Sequence, residues 1–269
     1  MATTELDDLG NRVQLPASAR RVVSLVPSLT EAIATGGTSP ASRARATAMV
    51  GATDWCTHPP DLKVTRVRGT KNPDLGKIVA LEPDLVVANE EENRRPDLDA
   101  LREAGLNVWV TRVRTVPEAF SSLRRLITVA CGAAEPEWLG EAEKAWSETR
   151  NEHRREAFVA IWRRPWMVVG RDTFAGDVLS RLGVDNVFAD HPERYPKISL
   201  DELRSTRVDL AVLPDEPYRF TRDDGPEAFS PLPSALVSGR HLTWYGPSLL
   251  EAPDRLRRQL DEPFRPSPP

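Results

Sequence analysis

An α/β protein of two Rossmann-like lobes, each with a mostly parallel sheet and the two joined by one long α-helix, is predicted by three features of the chain. Short β-branched runs alternate with amphipathic stretches along most of the 269 residues, and parallel strands need a crossover that helices supply. A phrase of short helix, strand and acidic loop occurs twice. Between its copies, Glu135 to Ala157 is highly charged, with Trp138, Ala142, Trp146, Thr149 and His153 recurring at spacings of three and four, the stripe of a one-sided helix. As one helix it would be a strut on the order of 33 Å. The expected division is a first lobe over 1–134, the strut over 135–157, a second lobe over 158–262 and a disordered Pro-rich tail over 263–269.

The first lobe opens with a strand at Arg21–Leu25 (RVVSL) that runs through Pro27 into a helix. Ser28 and Glu31 have capping-box spacing, and Gly36 and Gly37 stop the helix. A Ser, Pro, Ala and Arg-rich loop leads to a strand at Ala48–Ala52, the loop TDWCTHPP and an edge strand near Val64–Val67. A short helix from about Pro73 to Leu81 precedes the strand Asp84–Ala88. The next helix opens at Pro96, where a missing amide costs nothing, and ends at Gly105. LNVWV is a strand, and TVPEAFSSLRRLITVACG a helix with Thr115 and Glu118 at capping-box spacing. The second lobe has strands at Phe158–Trp162 and Trp166–Val169, a helix at Thr173–Leu182, and strand and helix pairs down to about Leu260.

Laid without gaps, Leu75–Glu91 (LGKIVALEPDLVVANEE) and Leu200–Glu216 (LDELRSTRVDLAVLPDE) agree at five of seventeen positions. Two helix-to-strand units share apolar positions in any case, but the order of elements upstream also repeats, with hydroxyl-started helices at Ser28 and Thr173. Ligands of open α/β sheets sit beyond the carboxyl ends of the strands, where helix amide ends point outward. The loops after Leu25, Ala52, Ala88, Gly170 and Leu213 are therefore expected to line a shared cleft. Glu90–Glu92 would stand at its rim, or would solvate the approach to a helix whose positive end favours acid.

Composition narrows the functional classes. Hydrophobic residues make up 40% and charged residues 28%, the balance of a globular protein. With 36 basic and 40 acidic side chains the net charge is −4, so no general pull toward nucleic acid is expected. The first twenty residues are acidic and carry no export signal, and no apolar run approaches the ~20 residues that span a bilayer. Cys56 and Cys131 are no disulfide framework. A cytoplasmic monomer is expected, with a periplasmic or extracellular address if the natural chain begins earlier.

The runs RVVSLVPSLTEAI, VGATDWCTHP, IVALEPDLVVA and GRDTFAGDVLSRLGVDNVF, in that order from about Asp8 to Asp261, resemble the helical-backbone substrate-binding proteins of ABC importers, and among them the cobalamin binders. The resemblance implies two α/β lobes on one long helix, no enzymatic chemistry, no catalytic cofactor and no metal of the protein's own. It implies cobalamin as ligand, and the alternative within the same fold is a cytoplasmic carrier or sensor for haem or a ferric siderophore. In the cobalamin binders aromatic rings flank the corrin, and the matching positions here are Trp55 and His58 in the first lobe, and Tyr195 and Trp244 in the second. Two further ring positions hold Thr70 and Asn89. The family docks on its permease through one acidic residue per lobe, and the matching positions hold Gly76 and Asp201, one carboxylate of the two. The partners implied are thus a small-molecule ligand and an ABC permease.

Each candidate has a plainer reading beside the functional one. Trp55 and Trp244, at predicted strand ends, offer the flat apolar surface with one polar handle that a wet-mouthed ligand site uses, or they pack loops. His58 contacts a bound ring, ligates an iron or cobalt centre, or is a solvated loop histidine, and His191 faces the same choice in a turn-like context. Asp54, Cys56 and His58 alternate, but a structural zinc wants four ligands. Trp138 and Trp146 mark the core face of the strut, and Trp162 and Trp166 are expected in the core of the second lobe. The dinucleotide, phosphate-loop, nucleophile-elbow and zinc-protease motifs are all missing. An enzyme acting on a phosphate-bearing molecule at the amide ends near Ser28 and Thr173 is the alternative from another class.

Overall fold

The alternating apolar runs fold as two five-stranded sheets. The computed structural model describes residues 3–35, 49–149 and 154–266. The expected helix stop at Gly36 and Gly37, the loop that follows it, Ala48 and His153 lie outside these residues. The first elements in chain order are β1 (Thr3–Leu6), β2 (Arg12–Leu15), β3 (Val22–Ser24), α1 (Pro27–Ala34), β4 (Met49–Ala52), β5 (Thr65–Arg66), β6 (Arg68–Gly69), β7 (Asn72–Pro73), α2 (Leu75–Ala80) and β8 (Leu85–Asn89). Then follow α3 (Arg95–Glu103), β9 (Val108–Thr111), α4 (Val116–Arg125), which runs into a π turn at Leu126–Ala130, and α5 (Glu137–Glu148). The remainder comprises β10 (Arg155–Trp162), β11 (Met167–Val168), α6 (Phe174–Arg181), β12 (Val184–Asn186), α7 (Leu200–Ser205), β13 (Leu210–Pro214), β14 (Ser234–Val237), α8 (Gly239–Thr243) and α9 (Ala252–Asp261). The chain divides into two compact units, one of Met1–Val113, Pro117–Glu141 and Tyr245–Pro247, the other of Arg114–Val116, Ala142–Trp244 and Ser248–Pro269.

In the first unit the strand order is β5-β4-β3-β8-β9, and every pairing is parallel. The five residues of β8 are all buried, the unbroken apolar run expected of a parallel strand covered on both faces. Side chains of β3, β8 and β9 pack with Ile78 of α2 and with Leu98 and Leu101 of α3 into one core. The hairpin β1–β2, absent from the sequence reading, is tied on by its turn. The buried Asp7 carboxylate accepts from the amides of Leu9 (2.9 Å), Asn11 (2.8 Å) and Val110 (3.3 Å), and Asp8 pairs with Arg125.

The expected capping box at Ser28 does not form. Pro27, whose fixed φ and missing amide suit a first helical position, starts α1 one residue earlier, so Val26 is the cap residue and Ser28 lies inside the helix, buried. The strut is also shorter than expected. α5 ends at Glu148, and Arg155–Ala157 already belong to β10, where they pair with Val184–Asn186 of β12. A charged stretch carries helical spacing without showing where a strand takes over, and the apolar run from Ala157 onward pulled its two preceding charged residues into the sheet. Trp138 and Trp146 are buried on α5, and the Trp146 Nε1 donates to the Leu249 carbonyl at 2.9 Å.

The second unit has the order β11-β10-β13-β14, with β12 also on β10. β12, β10, β13 and β14 are parallel, and only β11 turns back antiparallel. Phe158, Trp166, Phe220 and Phe229 fill its core. Trp162 does not join them: it ends β10 at 42% exposure, where that strand runs one residue past the end of its neighbour β13. Nor is the tail loose throughout 263–269. Phe264 exchanges backbone hydrogen bonds with Ser234 at 2.9 and 3.0 Å, extending the sheet edge, and residues 267–269 are outside the description.

The repeated phrase is a repeat in structure. Leu75 and Leu200 open α2 and α7, and Leu85 and Leu210 open β8 and β13, at the same interval. Asp74 and Ser199 cap the two helices, accepting from the amides of Lys77 and Glu202, both at 3.1 Å. Asp84 accepts from the amides of Arg20 and Arg21 at 2.8 and 2.9 Å, while its own amide donates to the Arg21 carbonyl. Asp209 does the same with Glu156, at 2.9 Å through its carboxylate and 2.8 Å through its amide. In each unit an aspartate thus locks the entry of an inner strand to its neighbour. Replacing Asp84 by Ala is expected to lower the unfolding free energy by about 1–2 kcal/mol, and Asp84→Asn, which keeps an acceptor, by less. An unchanged urea midpoint in Asp84→Ala would show that the clamp contributes nothing.

Candidate functional site

In the first unit, carboxyl ends of the parallel strands release Leu25, Thr53 and Glu90 into loops, and the turn after β4 is braced from several sides. The Asp54 amide donates to the Arg68 carbonyl at 2.8 Å. Arg66, from the edge strand β5, donates through Nη1 to the carbonyls of Thr53 and Cys56, both at 2.9 Å. Beneath the turn, the Cys56 Sγ accepts from the Thr30 Oγ1 at 3.0 Å and contacts the Thr53 Oγ1 at 3.1 Å. Gly69 packs so closely that a Cβ there would stand 3.3 Å from the Trp55 Nε1. From this fixed turn Trp55 projects at 66% exposure. Exposing an indole forgoes about 2–3 kcal/mol of burial, so a rigid turn that does so is suited to contact with something else.

His58 is half-buried three residues on, its Nδ1 3.1 Å from the Thr57 Oγ1. Thr70 is half-buried, and its carbonyl accepts from Asn93 at 3.0 Å. Asn89 is buried and turned inward: its Nδ2 donates to the carbonyl and hydroxyl of Thr111, and its Oδ1 accepts from the amides of Glu91 and Glu92. The amides of the acidic run are therefore occupied by Asn89 and, for Glu90, by the Thr111 carbonyl at 3.0 Å. Asn93 is a residue that sequence reasoning passed over. It accepts from the Asn89 amide at 2.9 Å and donates to the carbonyls of Leu25 and Thr70, stitching three loops. Its one signal is that it ends the acidic run with an amide.

The second unit has its own set. Thr173 is buried and caps α6, accepting from the Gly176 amide at 3.3 Å. Tyr195 lies half-buried on a segment that lines up along β11, with the Gly170 amide donating to the Arg194 carbonyl at 2.8 Å. A Cβ at Gly170 would meet the Glu193 carbonyl oxygen at 2.3 Å, so only glycine allows that approach. Arg194 donates to the Asp172 carbonyl at 3.0 and 2.7 Å and stands 5.6 Å over the Tyr195 ring. His191 is half-buried, and its Nδ1 accepts from the Glu193 amide at 3.0 Å, a loop role. A cavity of about 310 Å³ at this end of the unit is lined by Arg114, Arg171, Asp172, Thr173, Asp177 and Asn186, among others.

Trp244 follows α8 and is half-buried, with the Arg240 guanidinium 5.8 Å over its ring. α8 is short, and two anchors hold it: the Gly239 amide donates to Asp215 at 2.7 Å, and the buried His241 bridges the Ser238 Oγ (2.7 Å, Nδ1) and the Glu251 Oε1 (2.8 Å, Nε2). Because a carboxylate faces Nε2, that nitrogen carries the proton and Nδ1 accepts from the serine. Burial holds the His241 pKa below its ordinary 6.5, against the opposing pull of Glu251.

None of these arrangements builds a reaction centre. Burial pushes the Cys56 thiol up from its ordinary value, the reverse of activation. Among the described residues no group of three or more His, Cys, Asp or Glu side chains is placed to hold a metal ion, and no helix is long and apolar enough to cross a membrane. Ser28 is buried inside α1, and the Thr173 hydroxyl is taken up by the Gly170 carbonyl and the Gly176 amide.

Against known proteins, residues 22–216 match the family model described as periplasmic binding protein. This chain belongs to the periplasmic binding protein family. It is 29% identical over 199 residues to the Vitamin B12-binding protein of Salmonella typhimurium, covering 69% of each chain. In structure it resembles the periplasmic vitamin B12 binding protein BtuF of Vibrio cholerae, with TM-score 0.71, 20% identity, and 90% and 97% of the two chains covered. It also resembles a periplasmic heme-binding protein, BhuT, with TM-score 0.72, 20% identity, and coverage of 90% and 98%. As a periplasmic binding protein it is a substrate-binding protein and not an enzyme, which overturns the phosphate-enzyme alternative.

Two measurements follow from the titrating groups. A His pKa lowered by folding leaves stability complete above 6.5 and removes it as pH falls toward the folded value. Urea unfolding of the intact chain is thus expected to need less denaturant at pH 5 than at pH 7, with part of that slope absent in His241→Gln. An identical slope in that variant would exonerate His241. The Cys56 thiol should resist alkylation at pH 7 in the native chain and react within minutes in urea, and rapid native labelling would contradict the braced turn.

Proposed function

We propose that this periplasmic binding protein binds a cobalamin-class corrinoid, a flat bulky chelate, with Trp55 as its principal contact. The observation that carries the reading is the exposed indole on a turn held rigid by Arg66, Gly69 and the buried Cys56. A rotamer-poor ring presented by a fixed turn loses little entropy when a ligand lands on it. Support also comes from the relative in Salmonella typhimurium that is named for vitamin B12.

A second reading, haem, is favoured by one observation. His58 follows Trp55 closely on the same loop with its Nδ1 oriented by Thr57, and a histidine is the axial ligand a haem iron takes. A structural relative is named for haem. In either case the metal belongs to the cargo. At the paired helix positions that the resemblance assigns to permease docking, Gly76 and Asp201 are the second residues of α2 and α7. With one carboxylate where two are implied, we propose release of the ligand without a paired permease clamp.

The test is a titration of the intact chain with cobalamin and with haem, followed by the visible spectrum and tryptophan emission. A shifted corrin band with quenched emission is expected, and Trp55→Ala should weaken binding about tenfold at an unchanged melting temperature. A Soret shift abolished by His58→Ala would select haem instead. Neither ligand perturbing either signal would end both readings.

A further inference from the structure

The amino end of the second unit's sheet holds a cavity of about 410 Å³, opposite the carboxyl ends of its parallel strands. Pro233, on its wall, is the residue before β14, and Thr206 stands four residues before β13 opens at Leu210. The floor is apolar. Leu203 of α7 and Phe229 of the 3₁₀ turn Pro226–Phe229 are both buried and belong to the unit's core, and Leu232 packs against that core.

The wall's ordinary donors are already taken. The Leu232 amide donates to the Phe229 carbonyl at 2.8 Å, the Thr206 hydroxyl to the Glu202 carbonyl at 2.8 Å and the Ser230 hydroxyl to the Pro266 carbonyl at 3.2 Å, while Pro231 and Pro233 have no amide to offer. Two exposed guanidinium groups remain. Arg204 spends its Nε on the Ala228 carbonyl at 2.8 Å and Arg265 its Nη1 on the Pro231 carbonyl at 3.2 Å, which ties each side chain to the rim and leaves the rest of each fork of N–H groups. Among the described residues the lining includes no Asp or Glu, and neither guanidinium has an ion-pair partner. Two cations over an apolar floor, with no carboxylate to neutralise them, complement a molecule that has an anionic head and an apolar body.

We propose that this cavity is a second binding site, for a small free amphipathic carboxylate whose oxygens meet the guanidinium forks and whose hydrocarbon body lies on Leu203, Phe229 and Leu232. The inference is independent of the corrinoid reading: all of its residues belong to the second unit, and it needs nothing from Trp55. Bidentate pairing favours a planar two-oxygen head, and the apolar floor rewards a tail that an inorganic anion lacks.

Octanoate is the probe, titrated calorimetrically into the intact chain beside 1-octanol and acetate at two salt concentrations, with urea unfolding of every variant. Octanoate should bind one-to-one with a dissociation constant below about 1 mM, more weakly as salt rises, and 1-octanol and acetate should each bind at least about tenfold more weakly. Arg204→Gln and Arg265→Gln should each weaken octanoate about three- to fivefold at an unfolding midpoint near that of wild type, and Trp55→Ala should leave octanoate binding unchanged. Equal binding of octanoate and 1-octanol, or no octanoate binding, would overturn the inference whatever the outcome of the cobalamin titration. Loss of octanoate binding in Trp55→Ala, or full affinity when Arg204→Gln and Arg265→Gln are combined, would place octanoate elsewhere and overturn it too. If the double variant does not fold, the comparison of octanoate with 1-octanol and acetate on the wild-type chain decides.

Discussion

A parallel strand has no hairpin to set its register, so each sheet depends on contacts that lock the central pair before the helices close over it. Asp84 and Asp209 provide that lock. Each aspartate sits at the mouth of the strand it precedes, accepts main-chain amides from the neighbouring strand through its carboxylate and donates its own amide back. With the entry fixed, a one-residue slip that would turn every side chain to the wrong face is disfavoured. β8 and β13 can then be buried along their whole length. Loops that leave the far ends inherit that definition, since their starting points do not move.

What those loops do with it differs between the two units. In the first, the polar groups of the mouth are satisfied among themselves. Asn89 and Asn93 take up amides and carbonyls of several loops, and Arg66 takes the carbonyls of the Trp55 turn. An unsatisfied buried polar group costs more than a made hydrogen bond returns, so this network makes the turn stiff rather than sticky. Its outward surface is then an indole. In the second unit the corresponding work is done by close backbone approach at Gly170, by cation–ring contacts at Tyr195 and Trp244, and by a His241 bridge under α8. The outward surface of these loops is thus aromatic rings on a braced backbone.

The hydroxyls that looked most like anion binders, Ser28 and Thr173, teach a related point. At a helix start a hydroxyl has two uses, to cap its own helix or to meet a ligand, and the spacing in sequence is the same for both. Pro27 placed Ser28 inside α1, and Thr173 capped α6. Both are buried, and the amides they accompany are left to the fold.

The sequence by itself determined the class, the alternation, most of the first unit's parallel strands to within a residue or two, and the repeat with its matching intervals. These are local matters: hydrophobic period, turn residues and caps act over a few neighbours and leave their mark in the string. Tertiary structure alone decided that Asn89 turns inward, that Arg66 and Asn93 brace loops distant in sequence, that Phe264 pairs with Ser234, that β10 begins where a helix was expected, and that Trp162 faces out while Trp166 faces in. Each depends on which partner arrives from elsewhere in the chain. A side chain at a strand end has the same periodicity whether a neighbouring strand reaches it or stops short.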